Sequence, residues 1–252
     1  MMPRPPLSGV VTTFNNAGTL HDCLASLGFC DEIVVLDSNS DDATREIAER
    51  HGARIFVEPF KGYGLQKQSA IDKATHDWIL LLDADETLTD AGRETIEREL
   101  QSPRADGYRL PRREWLFWRW PHPWTRPNWH LRLFRRSQGG MNAVPVHAAP
   151  EVRGAVRDID AEFRHFGEPQ LAVRVDKVNR YSSGLVQYKA SRKPRLLGLR
   201  LVFYPTVAFL RFYVGQRYFL NGWAGFIAAR TQAFYAFLKY AKVLEAGRQA
   251  PP

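Results

Sequence analysis

The strongest constraint on the fold is the alternation of short apolar runs with amphipathic stretches over residues 1–100. Four apolar runs predict strands, namely LSGVVTTF, EIVVLD, ARIFVE and DWILLLD. Between them, stretches such as GTLHDCLASL place apolar residues at i, i+3, i+4 and i+7, the spacing of one helix face. Strands that alternate with helices of this length predict an α/β fold with a mostly parallel central sheet covered on both faces.

Polar residues follow three of the four predicted strands. The first strand ends near Thr12 and Asn15, the second at Asp37, and the fourth at Asp83 and Asp85. Ligands of such sheets bind beyond the carboxyl ends of the strands, so we expect these side chains to line one crevice. The turn after the first strand, TTFNNAG, lacks the glycine pattern of dinucleotide-binding folds and the lysine of a phosphate-binding loop.

The DADE segment at residues 83–86 places two carboxylates one residue apart after a buried strand. Residues i and i+2 of an extended stretch point to one side, so Asp83 and Asp85 can face the same ligand. Mg²⁺ or Mn²⁺ would offset the repulsion between them, bind substrate phosphate oxygens and neutralise a departing phosphate. The alternative interpretation is a solvated loop that happens to follow a strand.

The charge of the chain is divided between its two parts. Residues 1–100 contain 9 Lys and Arg against 18 Asp and Glu, a net charge of −9, whereas residues 101–252 contain 26 against 9, a net charge of +17. The basic part favours an acidic partner: a phosphorylated glycan, an anionic lipid surface or nucleic acid. Two cysteines are too few for a disulfide framework, which predicts a reducing compartment.

Residues 106–135 hold five of the seven tryptophans, interleaved with arginines. Such a segment suits sugar stacking and phosphate capture, or a structural β-ribbon whose tryptophans cover the sheet. Nucleic-acid binding is not predicted, because no RNA-module signature accompanies the segment.

Residues 169–252 predict helices, and the part from 196 to 240 is apolar, aromatic and basic. This composition predicts helices that lie in a membrane interface, the alternative being a helical pair packed on the domain or in a dimer. The longest uncharged runs, LVFYPTVAFL and YFLNGWAGFIAA, have 10 and 12 residues. They predict no conventional transmembrane helix, and the N-terminus shows no apolar region of signal-peptide length.

Several segments together resemble family 2 glycosyltransferases of the GT-A fold: VVTTFNNAGTLHDCLASL, EIVVLDSNSDDATREIAERHGARI, FKGYGLQKQSAIDKATHDWILLLDADE and RLFRR. The closer similarity is to the bacterial lipopolysaccharide-core β-1,4-glucosyltransferase group, and it extends to VDKVNRYSSGLVQYKA and FLNGWAGF. We therefore expect a glycosyltransferase domain at 1–168, with a nucleotide-sugar-binding half at 1–100 and an acceptor-binding half at 101–168. A helical, membrane-associating region at 169–252 follows it.

The resemblance implies an inverting transfer of a sugar, expected to be glucose from UDP-glucose, to a lipopolysaccharide-core or similar lipid-linked glycan. Thr12 and Asn15 would lie by the nucleotide, and Asp37 would face the uracil or the ribose. Lys67 would lie near the nucleotide phosphates. The implied location is cytoplasmic, peripheral on the cytoplasmic face of the inner membrane.

The same resemblance implies a divalent cation, Mg²⁺ or Mn²⁺. Asp83 and Asp85 match the D-x-D motif of the family, with Asp85 the expected direct metal ligand. Arg132, in RLFRR, would face the diphosphate or the acceptor. The scattered histidines, His130 and His165 among them, are expected to be ordinary surface or core residues.

The chain departs from the family pattern where relatives often have V-H-E. Here the run is VPVHAAPE, so His147 is retained as a metal or diphosphate contact, but Ala148 replaces the glutamate. An inverting transfer needs a carboxylate to take the proton of the acceptor hydroxyl. Glu151 and Glu114 are the nearest candidates in sequence, and both stay open.

Two other functions are compatible with parts of this pattern. A sugar nucleotidyltransferase also uses an α/β nucleotide fold, but it would need a basic, glycine-rich loop where this chain has TTFNNAG. A non-catalytic protein that binds glycan or membrane is compatible with the missing glutamate at position 148. Assays of donor hydrolysis and sugar transfer would distinguish these functions.

Overall fold

The structure, a computed structural model, describes residues 4–142, 148–167, 170–191 and 196–248. They belong to two units, the first formed by Met1–Arg113 with Asn128–Phe166 and the second by Glu114–Pro127 with Gly167–Pro252. This partition differs from the expected boundary between residues 168 and 169. The segment Glu114–Pro127, expected in the acceptor-binding half, groups with the C-terminal helices.

The first unit is built on a mixed sheet. Its strands are β1 (Leu7–Thr13), β2 (Glu32–Asp37), β3 (Arg54–Val57), β4 (Trp78–Asp83), β5 (Glu86–Leu88), β6 (Gly107–Glu114), β7 (Asn128–Arg135), β8 (Gly139–Met141), β9 (Pro150–Val152), β10 (Val156–Asp158) and β11 (Phe163–His165). Among the described residues the main sheet has the order β3-β2-β1-β4-β7-β6-β11-β5, with β10 beside β6 and with β8 and β9 as a separate pair. Strands β3, β2, β1 and β4 are parallel, as predicted, and antiparallel β7 extends them.

Helices cover both faces of the parallel half, as the sequence periodicity predicts. They are α1 (Leu20–Ser26), α2 (Thr44–Arg50), α3 (Tyr63–Asp72) and α4 (Asp90–Leu100). Side chains of β1 alternate between two buried clusters: Leu7 and Val11 pack with Leu24 of α1, and Val10 packs with Ile71 of α3. Each such buried apolar side chain contributes about 1.5–3 kcal/mol, so the helices fix the sheet from both sides.

The second unit is helical around a long C-terminal helix. Its elements are α5 (Leu171–Gly184), α6 (Val186–Ser191), α7 (Leu197–Leu210), a π-helical turn (Arg211–Gly215), a 3₁₀ turn (Tyr218–Asn221) and α8 (Gly222–Ala246). Helix α8 packs against α5, α6 and α7. Small buried side chains on α8, including Ala224, Ala228 and Ala236, let these backbones approach closely.

Helical structure continues from Leu197 through the π-helical turn to Gly215. This 19-residue helix is long and apolar enough, by length and composition, to cross a membrane, and its side chains are not buried within the chain. The uncharged run LVFYPTVAFL is therefore the middle of a longer apolar helix. This uncharged run is bounded by Arg200 and Arg211, and the helix continues through both residues.

Candidate active site

Three strand ends of the parallel half meet at one edge of the sheet. Thr12 lies opposite Asp83 of β4, and Thr13 lies opposite Asp37 of β2. Because the strands are parallel, the loops after β1, β2 and β4 begin side by side. The predicted convergence is therefore present, with Thr12 partly buried and Asp37 fully buried.

The loops after β1 and β2 are tied together by hydrogen bonds. The Asn15 N–H donates to Ser40 Oγ at 2.9 Å, and Asn15 Oδ1 accepts from the Asp41 N–H at 3.0 Å. The Asp37 carboxylate accepts from the Ser40 N–H at 2.9 Å and also from the Ser40 hydroxyl. Asn15 has φ of 51°, a left-handed conformation that asparagine tolerates better than most residues. Asn15 and Asp37 thus lie in one network, and their contact with a nucleotide stays a prediction.

The Asp83 carboxylate forms an ion pair on each of its oxygens. Its Oδ1 contacts Lys67 Nζ of α3, and its Oδ2 accepts from Arg132 Nη2 of β7 at 3.1 Å. The structure therefore brings together three residues that the sequence predicted separately. Lys67 and Arg132 are here paired with a carboxylate, and both are side chains of the kind that hydrogen-bond phosphate oxygens.

Glu86 is a buried member of the site that the sequence analysis missed. Its Oε1 accepts from Arg132 Nη2 at 2.6 Å and lies 3.6 Å from Arg112 Nη1. Its Oε2 accepts from the Asp83 N–H at 3.1 Å, so Glu86 fixes both the arginine and the backbone of the motif. The signal was present in DADE, since a carboxylate followed directly by core residues has to be paired when it is buried.

For Asp83 and Arg132, the charges of their ion-pair partners together affect the pKa more strongly than burial does. Burial by itself would raise the pKa of Asp83, but the charges of Lys67 and Arg132 hold that pKa well below its usual range. Burial would lower the pKa of Arg132, yet the Glu86 and Asp83 carboxylates keep it above its ordinary value. Burial and the neighbouring arginines lower the pKa of His130 to about 2, so its imidazole is neutral at physiological pH.

Asp85 lies beside a histidine that was expected to be an ordinary surface or core residue. His165 Nε2 is 3.0 Å from Asp85 Oδ2, and the Phe166 N–H donates to the Asp85 carbonyl at 3.0 Å. Strand β11 pairs with β5 so that His165 lies opposite Glu86, which brings the imidazole to the motif. Eighty residues separate Asp85 from His165, and no sequence spacing indicated the contact.

Asp85 and His165 are two neighbouring side chains that could hold a divalent cation at this edge. The distance of 3.0 Å between them is that of a direct hydrogen bond, and carboxylate and imidazole are both groups that bind divalent cations. Asp83 differs, because each of its oxygens already has a cation. Among the described residues, no group of three His, Cys, Asp or Glu side chains could hold a metal. A cation here would therefore share its ligands with waters and a substrate diphosphate.

The two predicted bases lie on different strands, Glu151 on β9 and Glu114 at the end of β6. His147 lies outside the described residues. Glu151, on β9, is exposed and accepts from Asn142 Nδ2 at 2.8 Å. Glu114 ends β6 and belongs to the second unit. The identity of the base therefore stays a prediction.

Ala148, where the resemblance implies glutamate, lies next to the helix that bears Lys67. A Cβ atom built on Gly64, in the first turn of α3, would be 2.9 Å from the Ala148 Cβ. A longer side chain at position 148 would begin one helical turn from Lys67. The short alanine leaves that space without a carboxylate.

Comparison with known proteins agrees with this geometry. The model of the family described as "Glycosyl transferase family 2" matches residues 8–156. The chain is 33% identical over 256 residues to the lipopolysaccharide core biosynthesis glycosyltransferase LpsC of Rhizobium meliloti, covering 97% of this chain and 94% of that one. It is 28% identical to an uncharacterized glycosyltransferase of Rickettsia felis, covering 95% and 89%.

A solved structure shows the same fold over nearly the whole chain. The crystal structure of S. aureus TarS aligns with a TM-score of 0.50 and 16% identity, covering 98% of this chain and 56% of that one. The sheet order, the D-x-D edge and the family match agree with one another. The chain belongs to glycosyl transferase family 2 and has a GT-A-type fold.

Proposed function

We propose that this chain transfers glucose from UDP-glucose, with inversion, to a lipopolysaccharide-core or similar lipid-linked glycan. The observation that carries the proposal is the D-x-D edge, where Lys67 and Arg132 flank Asp83 and where His165 lies beside Asp85. The similarity to LpsC, named for lipopolysaccharide core biosynthesis, supports the acceptor class.

The chain's own side chains supply the binding of the donor diphosphate in this proposal. Lys67 and Arg132 are cations that hydrogen-bond phosphate oxygens well, and Glu86 keeps Arg132 in place for that contact. Asp85 and His165 would hold Mg²⁺ or Mn²⁺, which supplies charge neutralisation for the leaving diphosphate. Asp37 and Asn15 would hold the nucleoside from the neighbouring loops.

The transfer forms a bond from the acceptor oxygen to the anomeric carbon and breaks the bond from that carbon to the diphosphate. A carboxylate on the face opposite the diphosphate has to take the hydroxyl proton. Glu151 and Glu114 are the two proposed bases, since position 148 offers none.

We also propose that the chain acts peripherally on the cytoplasmic face of the inner membrane. Residues 177–244 contain 12 Lys and Arg and no Asp or Glu. Helix α7 exposes apolar side chains to solvent, among them Val202, Phe203 and Val207. An apolar helix surrounded by positive charge suits anionic headgroups, where a lipid-linked acceptor is found.

The deciding experiment is a transfer assay with purified full-length chain. Nucleotide sugars are tested one at a time with Mg²⁺ or Mn²⁺ against a truncated lipopolysaccharide core, and the anomeric configuration of the product is determined by NMR. We expect transfer from UDP-glucose to a β-linked product. Donor binding with neither transfer nor hydrolysis would favour the non-catalytic alternative, and formation of a sugar nucleotide would favour the nucleotidyltransferase.

A further inference from the structure

The tryptophan-rich segment of residues 114–127 is attached to the junction between α7 and α8 within the second unit. Asn221 links the two: its Oδ1 accepts from the His122 N–H at 2.6 Å, and its Nδ2 donates to Thr125 Oγ1 at 2.9 Å. The Arg126 N–H also donates to the Gln216 carbonyl at 3.1 Å. Asn221 is almost completely buried, so these bonds hold the segment against the end of the helical hairpin.

A small apolar core lies beneath this junction. Leu116 and Phe117 from the segment pack with Tyr218, Ala224 and Ala228 from the hairpin. Gly225 follows Ala224 on α8, and a Cβ atom added to it would lie 1.9 Å from the Tyr218 carbonyl oxygen. The backbones of α8 and of the 3₁₀ turn are therefore closely packed at this end of the unit.

Large apolar side chains at the same junction point outward. Trp124 is 71% exposed, although it lies between His122 and Thr125, which both hydrogen-bond Asn221. Trp223, two residues after Asn221, is 75% exposed. Trp118, Val214 and Phe219 are also exposed. We call these five residues, with the exposed arginines Arg119, Arg126, Arg211 and Arg217, the junction surface.

The junction surface carries positive charge, and Glu114 is the one acidic residue of the segment 114–127. Neither residues 115–127 nor residues 177–244 contain Asp or Glu. Tryptophan and arginine together are typical of the membrane–water interface, where the ring sits at the headgroup level and the guanidinium contacts lipid phosphates. A second copy of the chain would be a poor occupant, because a symmetric dimer would place two positive surfaces face to face.

We propose that the junction surface binds anionic lipid headgroups, with Trp124 and Trp223 inserted at the boundary and Arg126 and Arg217 on the phosphates. The inference rests on the membrane location given under Proposed function and specifies the surface responsible. It assigns residues 114–127 to membrane binding, whereas the sequence placed them in the acceptor-binding half.

The test is co-sedimentation of the full-length chain with phosphatidylcholine vesicles that contain no phosphatidylglycerol or 30% phosphatidylglycerol. Because each arginine near an anionic surface contributes about fivefold in binding, Arg126→Gln/Arg217→Gln should weaken partitioning to anionic vesicles by about 30-fold. Trp124→Ala/Trp223→Ala should weaken it as well. Brominated lipid should quench tryptophan fluorescence in the wild type and less in Trp124→Phe/Trp223→Phe.

Matched controls lie in the first unit. Arg93→Gln/Arg157→Gln removes two exposed arginines there, and Trp129→Ala removes an exposed tryptophan. Both controls should bind anionic vesicles like the wild type. Donor affinity, measured by calorimetry, should be unchanged in the junction variants, which shows that they are folded.

The outcomes separate the surface from the wider proposal. If the wild type binds vesicles but the junction variants bind equally well, the junction surface is wrong and the membrane location survives. If the wild type binds no vesicles at all, the junction surface and the membrane location are both wrong. The proposed sugar transfer is unaffected by that result, because the transfer assay tests it separately. If sedimentation velocity shows a wild-type dimer that the tryptophan variants disrupt, with vesicle binding unchanged, the surface is a protein interface and the lipid proposal is overturned.

Discussion

His165 Nε2 lies 3.0 Å from Asp85 Oδ2, in a contact that joins the D-x-D motif to the last strand of the first unit. The imidazole is placed there by the pairing of β11 with β5. A carboxylate and an imidazole are both groups that bind divalent cations. The contact therefore supplies a testable hypothesis for metal binding.

We predict that His165→Gln weakens Mn²⁺ binding in the presence of UDP by about 10–100-fold. Mutating a residue that only hydrogen-bonds a metal ligand already lowers metal affinity by about this factor. Asp85→Ala should nearly abolish both Mn²⁺ binding and transfer, and chelator should have the same effect on transfer. Electron paramagnetic resonance titration of Mn²⁺ measures the affinity directly. The control is His51→Gln, since His51 forms a 3.0 Å pair with His21 elsewhere on the first unit. Unchanged affinity in His165→Gln would remove this residue from the metal site.

We predict that Glu86→Ala lowers the free energy of unfolding by about 3–5 kcal/mol, because it leaves the buried charge of Arg132 without its closest partner. Urea denaturation measures the loss. Asp158→Ala is the matched control, since Asp158 pairs with Arg109 at 2.6 Å on the surface. Breaking an exposed pair should cost less than about 1 kcal/mol. Equal losses in the two variants would contradict the structural role given to Glu86.

A pH dependence of stability is expected from Glu32. Burial would raise its pKa, but hydrogen bonds from Ser8, Thr75 and Arg54 lower that pKa from 4.5 to about 2. The folded pKa lies below the unfolded one, so the carboxylate stabilises the fold above about pH 4.5 and loses this effect as the pH falls towards 2. Glu32→Gln should therefore be less stable than the wild type at pH 7.

The difference between Glu32→Gln and the wild type should shrink between pH 4.5 and pH 2. Urea unfolding at a series of pH values measures it. Glu94→Gln, an exposed change on α4, should follow the wild type throughout. A constant difference between Glu32→Gln and the wild type across this range would show that the hydrogen bonds do not depend on the charge.

We predict that Asp37→Ala weakens donor binding by about 5–150-fold, because losing hydrogen bonds to a buried polar group costs about 1–3 kcal/mol. Calorimetry with UDP-glucose measures the affinity. Asp41→Ala is the control on the same loop, since the hydrogen bond of Asp41 to Asn15 uses its backbone N–H and survives the change. If both variants bind the donor like the wild type, Asp37 lies outside the nucleotide site.

We predict that one of two substitutions, Glu151→Gln or Glu114→Gln, lowers turnover by about 10²–10⁴-fold with donor binding intact. The loss follows from removing the group that takes the acceptor proton. Steady-state transfer kinetics and donor calorimetry on both variants make the comparison. Normal turnover in both would place the base elsewhere or assign the proton to water.

The amino-acid sequence by itself determined the parallel half of the fold and its binding edge. The periodicities of residues 1–100 specify strands and helices locally, and the polar strand ends at Thr12, Asp37 and Asp83 converge because parallel strands end together. Lys67 also followed from the sequence, through the resemblance to the family. These features depend on short segments, whose hydrophobic pattern fixes which side chains face the core.

Only the tertiary structure decided which distant side chains complete the site. Arg132 bonds Glu86 across 46 residues, and His165 approaches Asp85 across 80, through strand pairings that no local pattern encodes. The segment 114–127 groups with the C-terminal helices because Asn221 and a small apolar core hold it there. Strand register and core packing are set by contacts between remote segments, so their partners become known only when the chain is folded.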